Sequence, residues 1–307
     1  MALRTDLPVP VLLDGGMGRE LRFRGVEILE TIWSASALLS APDVVREVHR
    51  DYIAAGADII TTNTYGVIRH ELAREGIEDR FAELNTLACQ LAVEARDAAG
   101  APTLIAGSLP PLNGSYRPDL VWPFETIEPL YREQAELLAP WVDLFLCETM
   151  SSAAEGLAAA TAAASTGKPV WVSWTLHEDR SGRLRSGETV ADAVAALDGL
   201  PVSGLLVNCC APESITSAMP ELIATGAEYV GGYANTFTPV PEDWTLDGSE
   251  TSSGFIDLRT DLDPDAYGVH AMRWLDAGAT VVGGCCGTRP AHIRHLREFM
   301  TPRAGRM

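Results

Sequence analysis

The fold of this chain is decided by a stretch near its carboxyl end, residues 280–287, TVVGGCCG. The stretch begins as a short apolar run bounded by turn residues, which indicates a buried strand, and it ends in two adjacent thiols. Residues 204–210, GLLVNCC, repeat this arrangement upstream. In a parallel barrel the carboxyl ends of the strands meet at one rim. Two such strand ends can therefore bring Cys209 next to the pair Cys285 and Cys286.

The same unit, a short apolar run followed by a longer stretch with helical spacing, occurs eight times along the chain. The strands are predicted at Val9–Asp14, Asp58–Thr62, Thr103–Gly107, Leu144–Glu148, Pro169–Thr175, Gly204–Cys209, Tyr229–Tyr233 and Thr280–Gly284. The clearest helices are predicted at Pro42–Ala55, Asp79–Ala99, Thr126–Ala139, Ser152–Ser165 and Pro264–Ala277. Alternation of this kind requires parallel strands joined by crossover helices, and eight is the closing number of the TIM barrel. A doubly wound open sheet is the alternative, but no GxGxxG turn follows the first strand.

Residues 235–263 lie between the seventh strand and the next helix, and they are rich in Pro, Ser and Gly. We expect them to form a loop insertion, which could act as a lid. No linker divides the chain, so residues 1–307 are predicted to be one barrel domain.

The composition limits the partners of this protein. The formal net charge is −19, which argues against nucleic acid and against anionic membrane surfaces. The first ten residues lack the apolar stretch of a signal peptide, and no run approaches the length of a membrane span. Six cysteines, four of them in two adjacent pairs, are too few for a disulfide scaffold. We therefore expect a reducing, cytoplasmic location and no nucleic-acid or membrane partner, with the protein acting as a monomer or homo-oligomer.

Three thiols at two strand ends predict a metal site. Three thiolates with an open fourth position form a catalytic zinc site, and zinc keeps a bound thiol deprotonated. A site of this kind could bind a substrate thiol and activate it as a nucleophile. The alternative is that Cys209, Cys285 and Cys286 are buried structural thiols, the interpretation we prefer for Cys89, Cys147 and Cys210.

Two carboxylates, Asp14 and Glu148, end apolar runs. An isolated buried charge is costly, so each is expected either to pair with an arginine, such as Arg19 for Asp14, or to bind a cationic group of a substrate. The ammonium group of an amino acid is a natural partner. Asn208, next to a predicted ligand, could hold the substrate or tie the loop.

These motifs resemble the homocysteine S-methyltransferase family, the zinc-dependent barrels that include the betaine and S-methylmethionine enzymes. The resemblance covers nearly the whole chain and is carried by residues 13–18 (LDGGMG), 56–65 (GADIITTNTY), 107–108 (GS), 147–149 (CET), 208–209 (NC) and 283–287 (GGCCG). It implies that Cys209, Cys285 and Cys286 hold zinc. It also implies that Asp14 and Glu148 bind the homocysteine amino group, in a pocket lined by Gly15, Thr62 and Asn208.

Three departures from the family pattern border the donor side. Residues 108–113 lack a Gly-Pro-Tyr-type sequence, Gly66 stands where betaine users carry a further aromatic, and Thr149 rather than an aromatic follows Glu148. The expected reaction is the transfer of a methyl group from a sulfonium or ammonium donor to homocysteine, which gives methionine. We expect S-methylmethionine first, betaine second, and S-adenosylmethionine as a further candidate.

Aromatic side chains would favour a cationic donor. Four candidates for such a wall are Trp33, Tyr65, Tyr116 and Trp174, and the insertion could add Phe237 and Trp244. Two other classes compete with this prediction. A barrel lyase or aldolase with structural cysteines would need a catalytic Lys or His, but Lys168 is the only lysine and precedes a strand. A non-catalytic zinc-binding protein would favour four clustered cysteines rather than three.

Overall fold

Eight parallel strands alternate with helices along the chain, as the sequence predicts. The structure is a computed structural model that describes residues 7–301, and the first six residues, which belong to the stretch considered for a signal peptide, lie outside this range. The strands are β1 Val11–Leu12, β2 Ile59–Thr61, β3 Leu104–Leu109, β4 Leu144–Met150, β5 Val170–Trp174, β6 Val202–Asn208, β7 Tyr229–Ala234 and β8 Val281–Gly284. The helices are α1 Met17–Phe23, α2 Ser36–Ser40, α3 Pro42–Ala54, α4 Arg69–Arg74, α5 Phe81–Ala99, α6 Phe124–Leu138, α7 Ala153–Ala164, α8 Val190–Ala195, α9 Pro212–Ile223, α10 Pro264–Ala277 and α11 Pro290–Met300, with short 3₁₀ turns at Glu78–Arg80 and Pro118–Leu120.

The strands form a closed barrel. Their order is β1-β8-β7-β6-β5-β4-β3-β2, and every pairing is parallel. An isolated parallel bridge between Leu13 and Ile59 joins the two ends of this order, where the amide of Asp14 donates to the carbonyl of Ile59 at 3.0 Å. The TIM-barrel prediction is confirmed, and the open-sheet alternative is wrong.

Two apolar layers hold the barrel together. The inner layer fills the barrel with side chains from alternate strand positions, among them the fully buried Trp171, whose ring lies 4.8 Å from that of Tyr229. Gly204 makes room for this indole, because a Cβ there would lie 2.3 Å from it. The outer, larger layer lies between strands and helices, where the interior density of proteins leaves few voids. Strands buried on both faces explain why the sequence shows continuous apolar runs rather than alternation.

The helix ends follow local sequence signals. Asp263 caps α10 by accepting a hydrogen bond from the amide of Ala266 at 2.9 Å. Gly100 and Gly278 end α5 and α10 in the left-handed conformation, which glycine adopts without strain. These caps place each helix end, and hence the start of the next strand, within a few residues of the predicted position.

Residues 235–263 run between β7 and α10 over the carboxyl rim of the barrel. Within them the structure has one isolated bridge, between Phe237 and Leu258. Side-chain hydrogen bonds fix the insertion to the barrel, among them those that Arg185 donates to the carbonyl of Val240 at 3.2 Å and Arg19 donates to the carbonyl of Ile256. Among the described residues, no helix is long and apolar enough to cross a membrane.

Candidate active site

The three predicted thiols converge at the carboxyl rim. Cys209 follows β6, and Cys285 and Cys286 follow β8. The three sulfurs lie within 4.8 Å of one another, and Sγ of Cys209 is 3.7 Å from Sγ of Cys286. In the described chain this is the single cluster of three or more cysteine, histidine and acidic side chains with the spacing of a metal site.

Backbone conformation lets two adjacent cysteines face the same point. Gly287 has a φ of +82°, and a Cβ there would lie 2.1 Å from Oγ1 of Thr236. The turn is closed by Thr288, whose hydroxyl donates to the carbonyl of Cys285 at 2.7 Å. On the other strand, Cys209 has a φ of +51°, a left-handed value that L-residues seldom adopt. Such strain persists where the surrounding structure imposes it, commonly at functional sites.

The cluster is poised to hold negative charge. Hydrogen bonds from Cys285 and Cys286 lower the pKa of Cys209 well below its usual value. The same hydrogen bonds to Cys209 raise the pKa of Cys285 and of Cys286. The hydroxyl of Tyr116 lies 3.0 Å from Sγ of Cys209. A group of thiols that can share one negative charge is suited to binding a cation.

The other three thiols lie away from this cluster. Cys89, Cys147 and Cys210 belong to the outer apolar layer, as predicted. Burial raises the pKa of Cys89 to about 12 and raises the pKa of the other two as well. These thiols stay neutral and pack as small apolar side chains.

A cavity of about 220 Å³ opens above the thiols. Its floor consists of strand ends, and its walls are loops from the same rim, including the insertion. The lining includes Asp14, Thr62, Glu148, Cys209, Cys285 and Cys286 on the floor, and Trp33, Tyr65, Tyr116, Phe237, Trp244 and Phe255 on the walls.

Asp14 and Glu148 lie on the floor of the cavity, 6% and 8% exposed. Oδ2 of Asp14 accepts from the amide of Thr61 at 2.8 Å, and Oε1 of Glu148 accepts from the hydroxyl of Ser108 at 2.5 Å. Burial raises the carboxyl pKa of Asp14 to about 8 and that of Glu148 to about 7. The negative charge of Glu148 adds to the rise at Asp14.

No basic side chain of the described chain forms an ion pair with either carboxylate. Arg19, the candidate partner of Asp14, donates instead to the carbonyl of Ile256 and lies over the rings of Phe237 and Phe255. Two buried carboxylates without a cation form a site for a positively charged group, because an added ammonium would offset their unfavourable burial.

The remaining predicted pocket residues differ in exposure to the cavity. Gly15 and Thr62 line it, and Oγ1 of Thr62 accepts from the amide of Ser108, the residue that holds Glu148. Asn208 is fully buried behind the floor. Its amide oxygen accepts from Thr149 and Ser173, and its amide nitrogen lies 4.0 Å from Sγ of Cys285. Asn208 therefore ties the strand ends together and reaches the thiols, but it does not line the cavity.

Three of the four predicted wall aromatics, Trp33, Tyr65 and Tyr116, line the cavity. Trp174 instead packs against Gly156 of α7, on the outer side of its strand. The insertion adds Phe237 and Trp244, and the ring of Trp244 lies 5.5 Å from that of Tyr116.

The sequence interpretation did not include Phe255, Glu71 or Arg74, which also line the cavity. Phe255 packs 5.3 Å from Trp33, so the insertion completes the wall on this side too. A charged pair at the end of a short helix carries no signal that distinguishes it from a surface ion pair, so only its position identifies it.

Gly66, where a further aromatic was considered, has a structural explanation. A Cβ there would lie 2.1 Å from the carbonyl oxygen of Ile32, so this backbone admits no side chain. Thr149 has a φ of +63° and receives a hydrogen bond from Asn208 at 2.9 Å. The departure at Gly66 is therefore imposed by local packing, and the insertion supplies aromatic side chains to the cavity from elsewhere in the chain.

Lysine and histidine do not line this cavity in the described chain. Nζ of Lys168 donates to the carbonyl of Val142 at 2.8 Å, elsewhere in the barrel. The structure thus offers no side chain for the Schiff-base chemistry of an aldolase.

Known proteins resemble this chain in sequence and in fold. The profile of the family described as homocysteine S-methyltransferase matches residues 11–300. The homocysteine S-methyltransferase of Escherichia coli K12 is 33% identical, over 94% of each chain, and homocysteine S-methyltransferase 4 of Zea mays is 28% identical over 93% of this chain and 87% of that one. The metallated crystal structure of the Escherichia coli homocysteine methyltransferase MmuM superposes with a TM-score of 0.78 at 32% identity, covering 94% of this chain and 96% of that one.

Proposed function

This chain belongs to the homocysteine S-methyltransferase family, and from that premise we propose how its cavity performs the reaction. The protein is an enzyme that transfers a methyl group to homocysteine and gives methionine. The observation that carries the proposal is the position of three clustered thiols beside two unpaired carboxylates, on the floor of one cavity. A thiol metal site and an ammonium site at this spacing fit an amino acid that ends in a thiol.

The metal we propose is zinc, held by Cys209, Cys285 and Cys286. Zinc–sulfur bonds of about 2.3 Å in a tetrahedron require sulfurs about 3.8 Å apart. The separation of 3.7 Å between Cys209 and Cys286 fits this requirement, and three ligands leave a fourth position open on the cavity side. When bound there, zinc would keep the sulfur of homocysteine deprotonated at neutral pH.

Glu148 and Asp14 are proposed to bind the ammonium group of homocysteine. In their ionised form they accept hydrogen bonds and supply the charge that the ammonium needs, while Ser108 and Thr61 hold them in place. Tyr233, whose hydroxyl donates to Oε2 of Glu148 at 3.3 Å, fixes the second oxygen. The amino acid is thereby oriented with its sulfur toward the cysteines.

The transfer is a displacement at carbon. The homocysteine sulfur donates an electron pair to the methyl carbon, and the bond between that carbon and the donor's sulfur or nitrogen breaks with its electrons remaining on the donor. The donor loses its positive charge, and no proton need move. The chain's contribution is to align the two reactants and to exclude water beneath the insertion.

A sulfonium is the donor we propose, with S-methylmethionine ahead of betaine and S-adenosylmethionine. Aromatic faces attract cations, and Tyr116, Trp244 and Phe237 surround the space above the thiols. A sulfonium is a better methyl donor than a quaternary ammonium, so it needs less assistance. The cytoplasm is the proposed location, in keeping with six cysteines that form no disulfide.

X-ray absorption at the zinc edge tests this site without relying on turnover. The zinc-loaded protein should show three sulfur neighbours, and homocysteine should raise the number to four. An unchanged sulfur count at saturating homocysteine would contradict the proposed role of the metal.

A donor screen completes the test, with methionine measured for each donor at equal concentration in the presence of zinc and a reductant. S-methylmethionine should give the highest kcat/KM. A higher value for betaine would overturn the donor proposal and leave the acceptor site intact.

A further inference from the structure

The cavity has a second charged region at its outer end, separate from Asp14 and Glu148. Beyond Asp14 and Glu148, five charged side chains line the cavity: Glu30 between α1 and α2, Glu71 and Arg74 in α4, Asp247 in the insertion, and Arg117, which donates two hydrogen bonds of 2.8 and 2.6 Å to Asp119. The region is therefore assembled only when the insertion lies on the barrel.

Arg74 uses only one of its three guanidinium nitrogens for a hydrogen bond within the described chain. Its Nη1 lies 3.3 Å from Glu71 and 4.0 Å from Asp247, and within the described chain Nη2 and Nε make no hydrogen bond. By contrast, Arg259 donates two hydrogen bonds of 2.9 Å to Glu213, and Arg69 donates hydrogen bonds to Glu133 from two of its nitrogens. Arg74 thus keeps the two-nitrogen edge that binds a carboxylate.

The acidic side chains around Arg74 are held in place from behind. Oδ1 of Asp247 accepts from the amide and the hydroxyl of Ser249, which leaves Oδ2 toward Arg74. Ser252 of the insertion donates to Glu30 at 2.7 Å. Glu71 is only 12% exposed, and its single hydrogen bond is to Arg74. The charged groups are therefore positioned before any ligand arrives.

The balance of charge identifies what would fit. Because Asp119 offsets the charge of Arg117, the carboxylates of Glu30, Glu71 and Asp247 outnumber the remaining guanidinium, and the region is net negative while it still contains the carboxylate-binding edge of Arg74. A sulfonium α-amino acid carries a carboxylate, an ammonium and a sulfonium, and so has a net positive charge. Betaine has a carboxylate but no ammonium to donate hydrogen bonds. The region therefore matches the sulfonium amino acid, both in the sign of its net charge and in the pattern of its hydrogen-bond donors and acceptors.

We propose that Arg74, Glu71 and Asp247 bind the amino-acid head of the methyl donor, with Arg74 on its carboxylate and the two acids on its ammonium. This rests on the proposed function, in which the donor's sulfonium lies under the aromatic wall. The head is unchanged by the reaction, whereas the sulfonium charge disappears. The product that the donor leaves behind therefore binds more weakly than the donor itself, which favours release of that product.

The test compares two sulfonium donors in the zinc enzyme, S-methylmethionine and trimethylsulfonium, which lacks the head. Loss of a charge-assisted hydrogen bond costs roughly a ten- to hundred-fold change in affinity. Arg74→Gln should lower kcat/KM for S-methylmethionine by that factor and leave trimethylsulfonium within about three-fold, with the KM of homocysteine unchanged. Arg80→Gln, at an exposed arginine paired with Glu83 outside the cavity, is the control.

Two results would overturn the inference: no loss with S-methylmethionine, or an equal loss with both donors. Glu71→Gln provides a second test, because it should reduce discrimination between S-methylmethionine and its N-acetyl derivative. If the wild-type enzyme made no methionine from either sulfonium, the donor proposal itself would fail. Calorimetric binding of S-methylmethionine to wild type and Arg74→Gln would then decide the head site independently, since the site requires weaker binding to the variant.

Discussion

The floor and the wall of the cavity are built in different ways. The floor, with the three cysteines, Asp14 and Glu148, lies at strand ends that the barrel ladder holds in register. The wall, with Tyr116, Trp244 and Phe237, lies on loops fixed by a few side-chain contacts. In the proposed reaction the floor binds homocysteine and the wall binds the donor. A barrel of this kind can therefore change its donor through its loops while the acceptor chemistry stays on the strands.

The arginine contacts show how the wall is held without secondary structure. Arg185 and Arg19 donate to two carbonyls of the insertion, and the guanidinium of Arg185 lies 5.1 Å from the ring of Tyr116. Arg185 is itself buried and paired with Glu178 at 3.3 Å. One buried arginine thus connects the insertion to the aromatic residue that contacts Cys209.

The comparison predicts that the largest effects come from the floor. Cys285→Ala should remove zinc and abolish methionine formation, because even the loss of outer partners of a metal ligand costs about 10- to 100-fold. Metal content and activity should be measured together. Cys210→Ala is the matched control, since it removes the buried neighbour of Cys209 and should keep its zinc. Full zinc occupancy in Cys285→Ala would refute the metal site.

A smaller loss is expected at the ammonium site. Glu148→Gln keeps the shape of the side chain and removes its charge, so the affinity for homocysteine should fall roughly ten- to hundred-fold. Zinc content should stay unchanged. Glu155→Gln is the control, because Glu155 is another buried carboxyl whose pKa burial raises to about 7, and it lies outside the cavity. Equal homocysteine affinity in folded Glu148→Gln would make Glu148 structural.

The wall should affect the donor alone. A cation over an aromatic face gains about 0.5–2 kcal/mol, so Trp244→Ala should reduce kcat/KM for a sulfonium donor about 2- to 30-fold. The affinity for homocysteine, measured by calorimetry, should not change. Trp122→Ala, at a tryptophan outside the cavity, controls for loss of stability. If Trp244→Ala weakened homocysteine binding as strongly, the division between floor and wall would be wrong.

The smallest effect concerns pH. Burial raises the carboxyl pKa of Glu148 to about 7 and of Asp14 to about 8, so the folded protein retains protons that the unfolded chain releases near pH 4. The stability that this contributes is complete below about pH 4 and is lost as pH rises through 7 and 8. Between pH 6 and 8.5 the Tm of the metal-free protein should fall by about 2–4 °C more in wild type than in Glu148→Gln. Identical slopes would show that Glu148 does not change its protonation state in this pH range.

Homocysteine should reverse this pH effect at the floor. Its ammonium stabilises the ionised carboxylates, so the slope of Tm against pH should become shallower in wild type when homocysteine is present. Glu155 lies away from the cavity, and its share of the slope should persist.

Much of this protein could be predicted from sequence alone. Eight apolar runs with helices between them specify a parallel barrel, because strands buried on both faces must be apolar and crossovers need helical length. The position of the site at the carboxyl rim followed from the predicted fold, because the residues that come after parallel strands lie at one edge of the sheet. That reasoning brought together Cys209 and the Cys285–Cys286 pair, which are far apart in the chain.

Tertiary structure decided what each polar side chain near the rim contacts. Asn208 and Trp174 were both candidates to line the cavity. Asn208 instead ties strands together and Trp174 packs under α7, because the exposure of a side chain depends on neighbours from other elements. The same holds for Arg19, which holds the insertion rather than Asp14. Trp244 and Phe255 reach the cavity only because the insertion folds back over the barrel. Local patterns report periodicity and turn chemistry, whereas the contacts of a loop depend on surfaces that exist only after the barrel has closed.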